Sequence, residues 1–477
     1  MQEPPGSDGA GDHGAGRRVL GATPSVHIRK PLKLIPLIGL VFVLSAGGSF
    51  GPEEIVAASG PGVALLLLLV IPIFYGLPLG LVSGEMASRY PVEGGYYRWA
   101  RFIFGDFWGW MVGWSAWLAA FCDGAVYIVF AAEYAEALMR QLDGIPPDVV
   151  TLLRQVFVIG AIAACTWANF RGIQLVGWST TIFTLFVISP FLLMGLLGFM
   201  NWNHNPFVPM KIPGMGWPES LGAGALIAMW CYSGYESLST AAEELEDPRR
   251  NYLRAILISI VVTVPIYFIP LIASLAYTSD WTTINAGTYT QTAWLLGGAG
   301  LGAWIAGSGM LSNINLFNAY TLAYSRIPFT MAQDGFMPKI LARAHKKHGT
   351  PWVAILVGAV IYFALTRFSI DKLLVVEMWL FSLIYIVVYL AVWTIRRRPG
   401  LDVPPEKGAF RYAIPAGKWG IWLYIGPPIA LILVAALGSW KEYLVYSGPA
   451  LLSGVVLYPL AAWLKRHRAL TTLRDPS

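Results

Sequence analysis

The chain has 477 residues, of which 56 % are hydrophobic and only 13 % charged, with a net charge of +6. Soluble domains carry about 25 % charged residues, so this composition excludes a water-soluble globule and gives the positive balance no nucleic-acid meaning. Cys122, Cys165 and Cys231 lie irregularly inside apolar stretches, which argues against a disulfide framework or a metal site.

Residues 1–30 are polar and Gly-rich and turn basic at Arg29 and Lys30. They lack the apolar core and cleavage site of a signal peptide and read as a disordered tail. About twelve apolar segments follow, most of them near the ~20 residues that cross a bilayer. The first five are Leu34 to Ala58, Val63 to Ala87, Phe107 to Leu138, Val149 to Asn169 and Leu175 to Met200. After a Pro- and Asn-containing connection come Ser220 to Ala242, Leu253 to Tyr277, Ala293 to Tyr324, long enough to be expected to tilt, the short Trp352 to Leu365, and Leu373 to Ile395. Ile421 to Leu437 and Tyr443 to Leu464 complete the set, behind a Pro-rich loop.

The first segment is interrupted by S-A-G-G-S-F-G-P-E-E, from Ser45 to Glu54. Gly47, Gly48, Gly51 and Pro52 resist regular helix. Backbone broken at membrane depth is tolerated only where protein or a watery cavity satisfies its N–H and C=O groups. A carboxylate at such a place is costly and functional by default. The sixth segment has a similar design, W-C-Y-S-G-Y-E-S from Trp230 to Ser237, with Ser233 and Gly234 weakening the helix before Glu236. The two breaks fall five segments apart, in the first and the sixth. The spacing predicts an all-α integral membrane protein built from two inverted five-helix repeats, residues 34–200 and 218–396, of the leucine-transporter type. A loop at 397–418, two further helices within 419–464 and a tail at 465–477 complete the expected organisation.

Lys and Arg set the orientation. With both tails in the cytoplasm, 27 of the 33 basic residues fall inside. They include Arg249, Arg250 and Arg254 after the sixth segment and Arg396, Arg397 and Arg398 after the tenth.

Asp123 lies near the centre of the third segment, in A-A-F-C-D-G-A-V-Y. Helical spacing puts Ala116, Ala120, Asp123 and Tyr127 on one face. A mid-membrane carboxylate costs about 2.5–3.5 kcal/mol on insertion scales. It is either an anionic partner for an ammonium or a proton, or a side chain hydrogen-bonded to a neighbouring helix. Glu54 and Glu236 stand at the two breaks, and Glu377 about two turns into the tenth segment. Trp230, Tyr232 and Tyr235 bracket Glu236 and offer faces for cation–π contact; Trp117 and Tyr385 are weaker candidates of the same kind. Glu85, with Arg89 four residues on, reads as a structural charge pair.

Two long motifs carry a family resemblance. G-E-M-A-S-R-Y-P-V-E-G-G-Y-Y-R-W-A-R, Gly84 to Arg101, and S-G-Y-E-S-L-S-T-A-A-E-E-L-E-D-P-R-R, Ser233 to Arg250, resemble stretches of the amino acid–polyamine–organocation transporter superfamily. The resemblance spans Leu34 to Leu464. Its nearest look is to the plant-type polyamine uptake transporters and the L-type amino acid transporter-like branch. These share a G-G-x-F-G-x-E-[DE] pattern, matched from Gly47 to Glu54, acids similar to Asp123 and Glu377, and a G-T-P similar to Gly349–Pro351. Tyr235 departs from the Trp often found at its position there. The resemblance implies alternating-access transport, with Gly47, Gly48, Ser49, Glu54, Asp123, Trp230, Tyr232, Tyr235, Glu236 and Glu377 around the substrate. It also implies coupling or gating at Glu236, with Asp123 a second candidate for proton traffic.

A zwitterionic amino acid needs one carboxylate partner and donors for its own carboxylate. A polyamine needs several acids along a path, and Glu54, Asp123, Glu236 and Glu377 fit that need with no Lys or Arg in the expected membrane core. The expectation is a carrier of cationic amines in a plasma or bacterial inner membrane, proton-coupled or potential-driven, with no cofactor, no metal and no nucleic acid. The alternative is an amino-acid transporter or exchanger of the same kind. An enzyme is disfavoured because every His lies outside the spans, and a channel because no repeated filter is visible.

Overall fold

The computed structural model describes residues 48–474, except 91–93, 143, 172–177, 235–247, 279, 399–411, 415, 418 and 439. The described residues are helical throughout, with loops between. A short helix, α1 (Pro52–Ser59), follows the first break and is joined by Gly60 to α2 (Pro61–Arg89). Within α2 the Pro72–Gly76 turn widens to π geometry, because Pro72 has no N–H to give the preceding turn. The amphipathic α3 (Gly95–Phe104) lies between the second and third apolar segments and leads into α4 (Asp106–Arg140). Then come α5 (Pro147–Phe170), α6 (Trp178–Met200), α7 (Trp217–Cys231) and α8 (Pro248–Tyr277). The second half holds α9 (Thr288–Gln333), α10 (Trp352–Leu365), α11 (Ile370–Arg397), α12 (Trp422–Gly438) and α13 (Gly448–Arg474).

Among the described residues seven helices are long and apolar enough to cross a membrane, and three shorter apolar ones accompany them. The protein is an integral membrane protein. The eighth apolar segment is not one tilted rod. α9 runs for 46 residues and kinks at Gly298, whose φ of 74° and ψ of −174° interrupt the helix. At 1.5 Å per residue an unbroken helix of that length would far exceed a bilayer core of about 30 Å.

The centre of the molecule is α4. In its most apolar stretch 89 % of residues are buried, against 17 % in the last helix. It packs on α9, α11 and α3, with α5 and α13 on its outer sides. Small residues make that possible, since membrane helices gain most by close backbone approach. At Gly124 an added Cβ would sit 2.4 Å from the Tyr362 ring of α10. Beside this core, α7 packs on α1 and α12, and α8 on α6.

Ion pairs tie together the end of the bundle that bears Arg89. Glu85 pairs with Arg89 at 3.0 Å, as the spacing suggests, and also takes Arg396 side-on, from Nε at 3.0 Å and Nη2 at 2.5 Å. Its Oε2 accepts the Ile414 N–H at 2.9 Å as well. A second knot joins α3 to α9 and α13. Asp334 accepts from Tyr97, Arg98 and Arg101 at 2.8, 3.4 and 2.8 Å, and Asp106 pairs with Arg101 at 2.9 Å and with Lys465.

Candidate functional site

The site is assembled from four helices. α4 contributes Asp123, which is 3 % exposed. Its Oδ2 accepts the Tyr324 hydroxyl of α9 at 2.5 Å, and its Oδ1 faces the Trp230 indole N–H of α7 at 3.4 Å. Tyr127, one turn along α4, and Glu377 of α11 are also within hydrogen-bonding reach of this carboxyl group. Glu377 is 2 % exposed, and its Oε2 receives no hydrogen bond from a described donor. Two acids distant in the chain thus meet inside the bundle. Among the described residues no Lys, Arg or His pairs with either.

Aromatic rings wall the pair. Tyr127 stacks on Tyr320 at 5.5 Å, and Tyr320 on Tyr324 at 5.1 Å. Trp230 lies 6.1 Å from Tyr127 and stacks on Phe130 at 5.8 Å. The Tyr320–Tyr324 pair follows from helical spacing, since residues four apart on α9 share a face. Ring faces carry negative potential, so this wall and the acids favour the same ligand charge.

The first break reaches the pair through Trp230. Gly51 has φ 104°, in the region that L side chains avoid, and an added Cβ would stand 2.7 Å from the Trp230 ring. Only glycine satisfies both the turn and the close approach. Pro52 then starts α1 at the position where its missing N–H does no harm. Gly48 also has positive φ, at 140°, and the buried Ser49 lies between them.

The two acids after the break point elsewhere. Glu53 is fully buried; its oxygens accept the Tyr134 hydroxyl at 3.2 and 3.0 Å and the Tyr289 N–H at 3.2 Å. Glu54 accepts the Ala286 N–H at 2.8 Å. Both carboxylates therefore hold backbone donors around the start of α9; the Tyr289 N–H is one that a helix N-terminus leaves unsatisfied, and the Ala286 N–H lies just before the N-cap Gly287. Asp371 and Glu133 interact electrostatically with Glu54, and its neighbour Glu53 is acted on by Glu54 in turn.

The remaining sequence candidates divide as follows. Trp230 joins the pair. Tyr232 is fully buried and donates to the Leu68 carbonyl at 2.8 Å, edge-on to Tyr267. Trp117 continues an aromatic row to Phe121 at 5.2 Å, and Tyr385 is buried against Phe381 and Tyr75. Gly47, Tyr235 and Glu236 lie outside the described residues. α7 stops at Cys231, and Gly234 has φ 92°. Among the described residues no group of three or more His, Cys, Asp or Glu could hold a metal ion. Tyr320 and Tyr324 were not singled out from the sequence, whereas Glu53 was noted with Glu54 as an acid at the break. The aromatic stripe Phe317, Tyr320 and Tyr324, at helical spacing opposite an intramembrane acid, was the available signal.

A buried acid pair, an aromatic wall and a glycine turn at the start of α1 come together in an apolar bundle, an arrangement chemically suited to a cation. The sequence profile of the amino acid permeases matches residues 36–450 of this chain. The chain belongs to the amino acid permease family. As a permease, it is a transporter and not an enzyme. It is similar to polyamine transporter PUT1 of rice, 30 % identical over 452 residues, covering 94 % of this chain and 81 % of that protein. Polyamine transporter RMV1 of Arabidopsis thaliana is 28 % identical over 446 residues, covering 91 % and 87 % of the two chains. An uncharacterized transporter of Mycobacterium tuberculosis, Rv1999c, is 26 % identical over 347 residues, covering 70 % and 73 %.

Proposed function

We propose that this permease carries polyamines and diamines into the cell by alternating access, with the Asp123–Glu377 pair holding an ammonium group of the substrate. The juxtaposition of these two carboxyl groups carries the reading. Two bare carboxylates are acceptors only, so at hydrogen-bonding distance they hold a proton or a cation between them. An arriving ammonium supplies the cation and releases the proton, which links amine uptake to proton movement. Tyr320, Tyr324 and Trp230 add ring faces to the same position. The printed names of the plant relatives support the same cargo.

The wider frame belongs to this proposal. Twelve crossings with five-plus-five inverted repeats put the breaks before α1 and after α7 at the repeat interface. Both termini then face the cytoplasm of a plasma or bacterial inner membrane. The ion pairs around Glu85 and Asp334 close the cytoplasmic end, while Glu54, Glu133 and Asp371 lie toward the opposite mouth. Gly48 and Ser49 line the approach, Gly47 and Tyr235 are further substrate residues, and Glu236 is the gating or coupling acid.

Uptake of labelled putrescine, spermidine and amino acids into proteoliposomes, with and without a pH gradient, tests the proposal. Saturable amine uptake that competes with other polyamines and is stimulated by the gradient is expected. Electroneutral one-for-one amino-acid exchange with no affinity for amines would overturn it in favour of an amino-acid exchanger of the same family.

A further inference from the structure

Beside the acid pair, α4, α9 and α10 leave a cavity of about 10 Å3, room for one water molecule. Its place follows from the course of the chain. Ala120 and Phe121 of α4 line it and precede Asp123, on the side of Asp106 where that helix starts. Ser325 of α9 lines it and follows Tyr324, on the side of Gln333 where that helix ends. Asp106 and the adjoining Asp334 both pair with Arg101. The cavity therefore lies on the side of the acid pair that leads to this ion-pair knot, the end taken above as cytoplasmic. Thr321, Tyr324, Ser325 and Tyr362 are the hydroxyl-bearing residues of its lining.

These hydroxyls suit a water. Thr321 is buried, and its hydroxyl makes no hydrogen bond with a described group, although the Tyr362 side chain stands close to it. A buried hydroxyl is rarely left unpaired, and two near but unbonded hydroxyls beside room for one water are the geometry of a water bridge. Tyr324 borders the same space and donates its hydroxyl to Asp123 at 2.5 Å. The rings are fixed, Tyr324 by stacking on Tyr320 at 5.1 Å and Tyr362 by Gly124 and an edge-on Phe317 at 5.1 Å. Only their O–H bonds are free to turn. The titratable groups around Asp123 are Cys122 and Tyr127 of α4, Tyr324 of α9, Tyr362 of α10 and Glu377 of α11. Of these, Tyr324 alone both bonds Asp123 and lines the cavity. The Trp230 indole on the other oxygen only donates and cannot relay a proton.

We infer that the cavity is a site for one water, and that Tyr324, this water and Thr321 form the route by which the proton displaced from the Asp123–Glu377 pair leaves toward the cytoplasm. The inference rests on the reading that an arriving ammonium releases a proton from that pair. Tyr324 donates to a bare Asp123 and, once Asp123 is protonated, accepts from it by turning its O–H toward the cavity. When the ammonium enters, the Asp123 O–H bond breaks and its proton passes to the Tyr324 oxygen. Tyr324 gives its own proton to the water, the water gives one to the Thr321 hydroxyl, and Thr321 releases one to water on the cytoplasmic side. Each relay oxygen gains one hydrogen and loses one. The hydroxyls then turn back, and no side chain is left charged.

The test uses proteoliposomes with a trapped pH-sensitive dye and labelled putrescine. Net uptake and its proton flux are measured together, and exchange of internal for external putrescine at equal pH, which needs no net proton release, is measured beside them. Thr321→Val removes the hydroxyl at nearly constant size, and Thr321→Ser keeps it. Gly358→Ala places a methyl 3.6 Å from the Tyr362 oxygen, within the lining, and fills the water's space without removing a hydroxyl. Thr321→Val and Gly358→Ala are each expected to lower net uptake and proton flux about tenfold or more, with exchange within about twofold of wild type. Thr321→Ser should restore all three. If either Thr321→Val or Gly358→Ala keeps wild-type proton flux, or if exchange falls along with net uptake, the route fails while the paired-acid reading stands. If wild type takes up putrescine with no proton flux, the proton part of the paired-acid reading fails and the route with it.

Discussion

Replacing Asp123 by Asn removes a charge at nearly constant volume, and the surroundings of Asp123 say how little else changes. The carboxylate accepts from the Tyr324 hydroxyl and faces the Trp230 indole N–H, with the Tyr127 hydroxyl also in reach. An Asn carbonyl can still accept from Trp230, whose N–H only donates, while its NH2 donates to the Tyr324 oxygen, which can also accept. The fold should therefore survive, and the loss should fall on the substrate. An ammonium about 4 Å from a unit negative charge gains ~4 kcal/mol at an effective dielectric constant of 20. Hydrogen bonds to charged groups contribute about 1.5–3 kcal/mol net, and Glu377 remains to take up part of the charge. The lower range is the better guide, so KM for a diamine should rise about 10- to 150-fold. Glu377→Gln should act similarly, and the double variant should lose less than the sum, because both changes empty one site. Initial-rate uptake in proteoliposomes, normalised to incorporated protein, gives the numbers. Uptake kinetics unchanged in Asp123→Asn at equal incorporation would assign Asp123 to helix packing and refute the argument.

Gly51→Ala should destabilise the break, since the new Cβ meets the Trp230 ring at 2.7 Å and the backbone is strained at φ 104°; a cost of about 1–3 kcal/mol would lower the melting temperature in detergent, and an unchanged value would contradict it. Glu85→Gln should be severe, because it leaves Arg396 and Arg89 without their buried counter-ion. Removing one partner of a buried pair costs about 3–5 kcal/mol, and replacing both Glu85 and Arg396 by Met should recover much of it in the same melting assay. Diamine uptake should rise with an inside-negative potential, which contributes about 2.3 kcal/mol per charge per 100 mV, and Glu236→Gln should flatten its pH dependence; uptake indifferent to imposed potential argues against cationic cargo.

Hydropathy and glycine placement made most of the architecture legible. The short segment Trp352 to Leu365 coincides with α10, and Phe107 to Leu138 sits inside α4. Both rest on local composition, which needs no knowledge of neighbours. The kink in α9 was not legible, because Gly298 lies among several glycines in G-G-A-G-L-G and nothing local distinguishes it. α3 was missed for a different reason. Its Arg98 and Arg101 break the apolar run, and they make sense only once Asp334 and Asp106 are beside them.

The sequence by itself determined that this chain lives in a membrane, that a glycine-rich turn precedes α1, and that acids stand where lipid would expel them. Each of these is a property of a short window, decided by transfer free energy and backbone freedom. The tertiary structure alone decided which acids meet. Glu53 and Glu54 are neighbours in sequence but about 100° apart around a helix, so one is buried against Tyr134 and Tyr289 and the other reaches Ala286. Asp123 and Glu377 are far apart in the chain, yet the packing of α4 against α11 brings them within hydrogen-bonding reach. That contact depends on helix rotation and crossing, which are set by the whole bundle and leave no mark in any one segment.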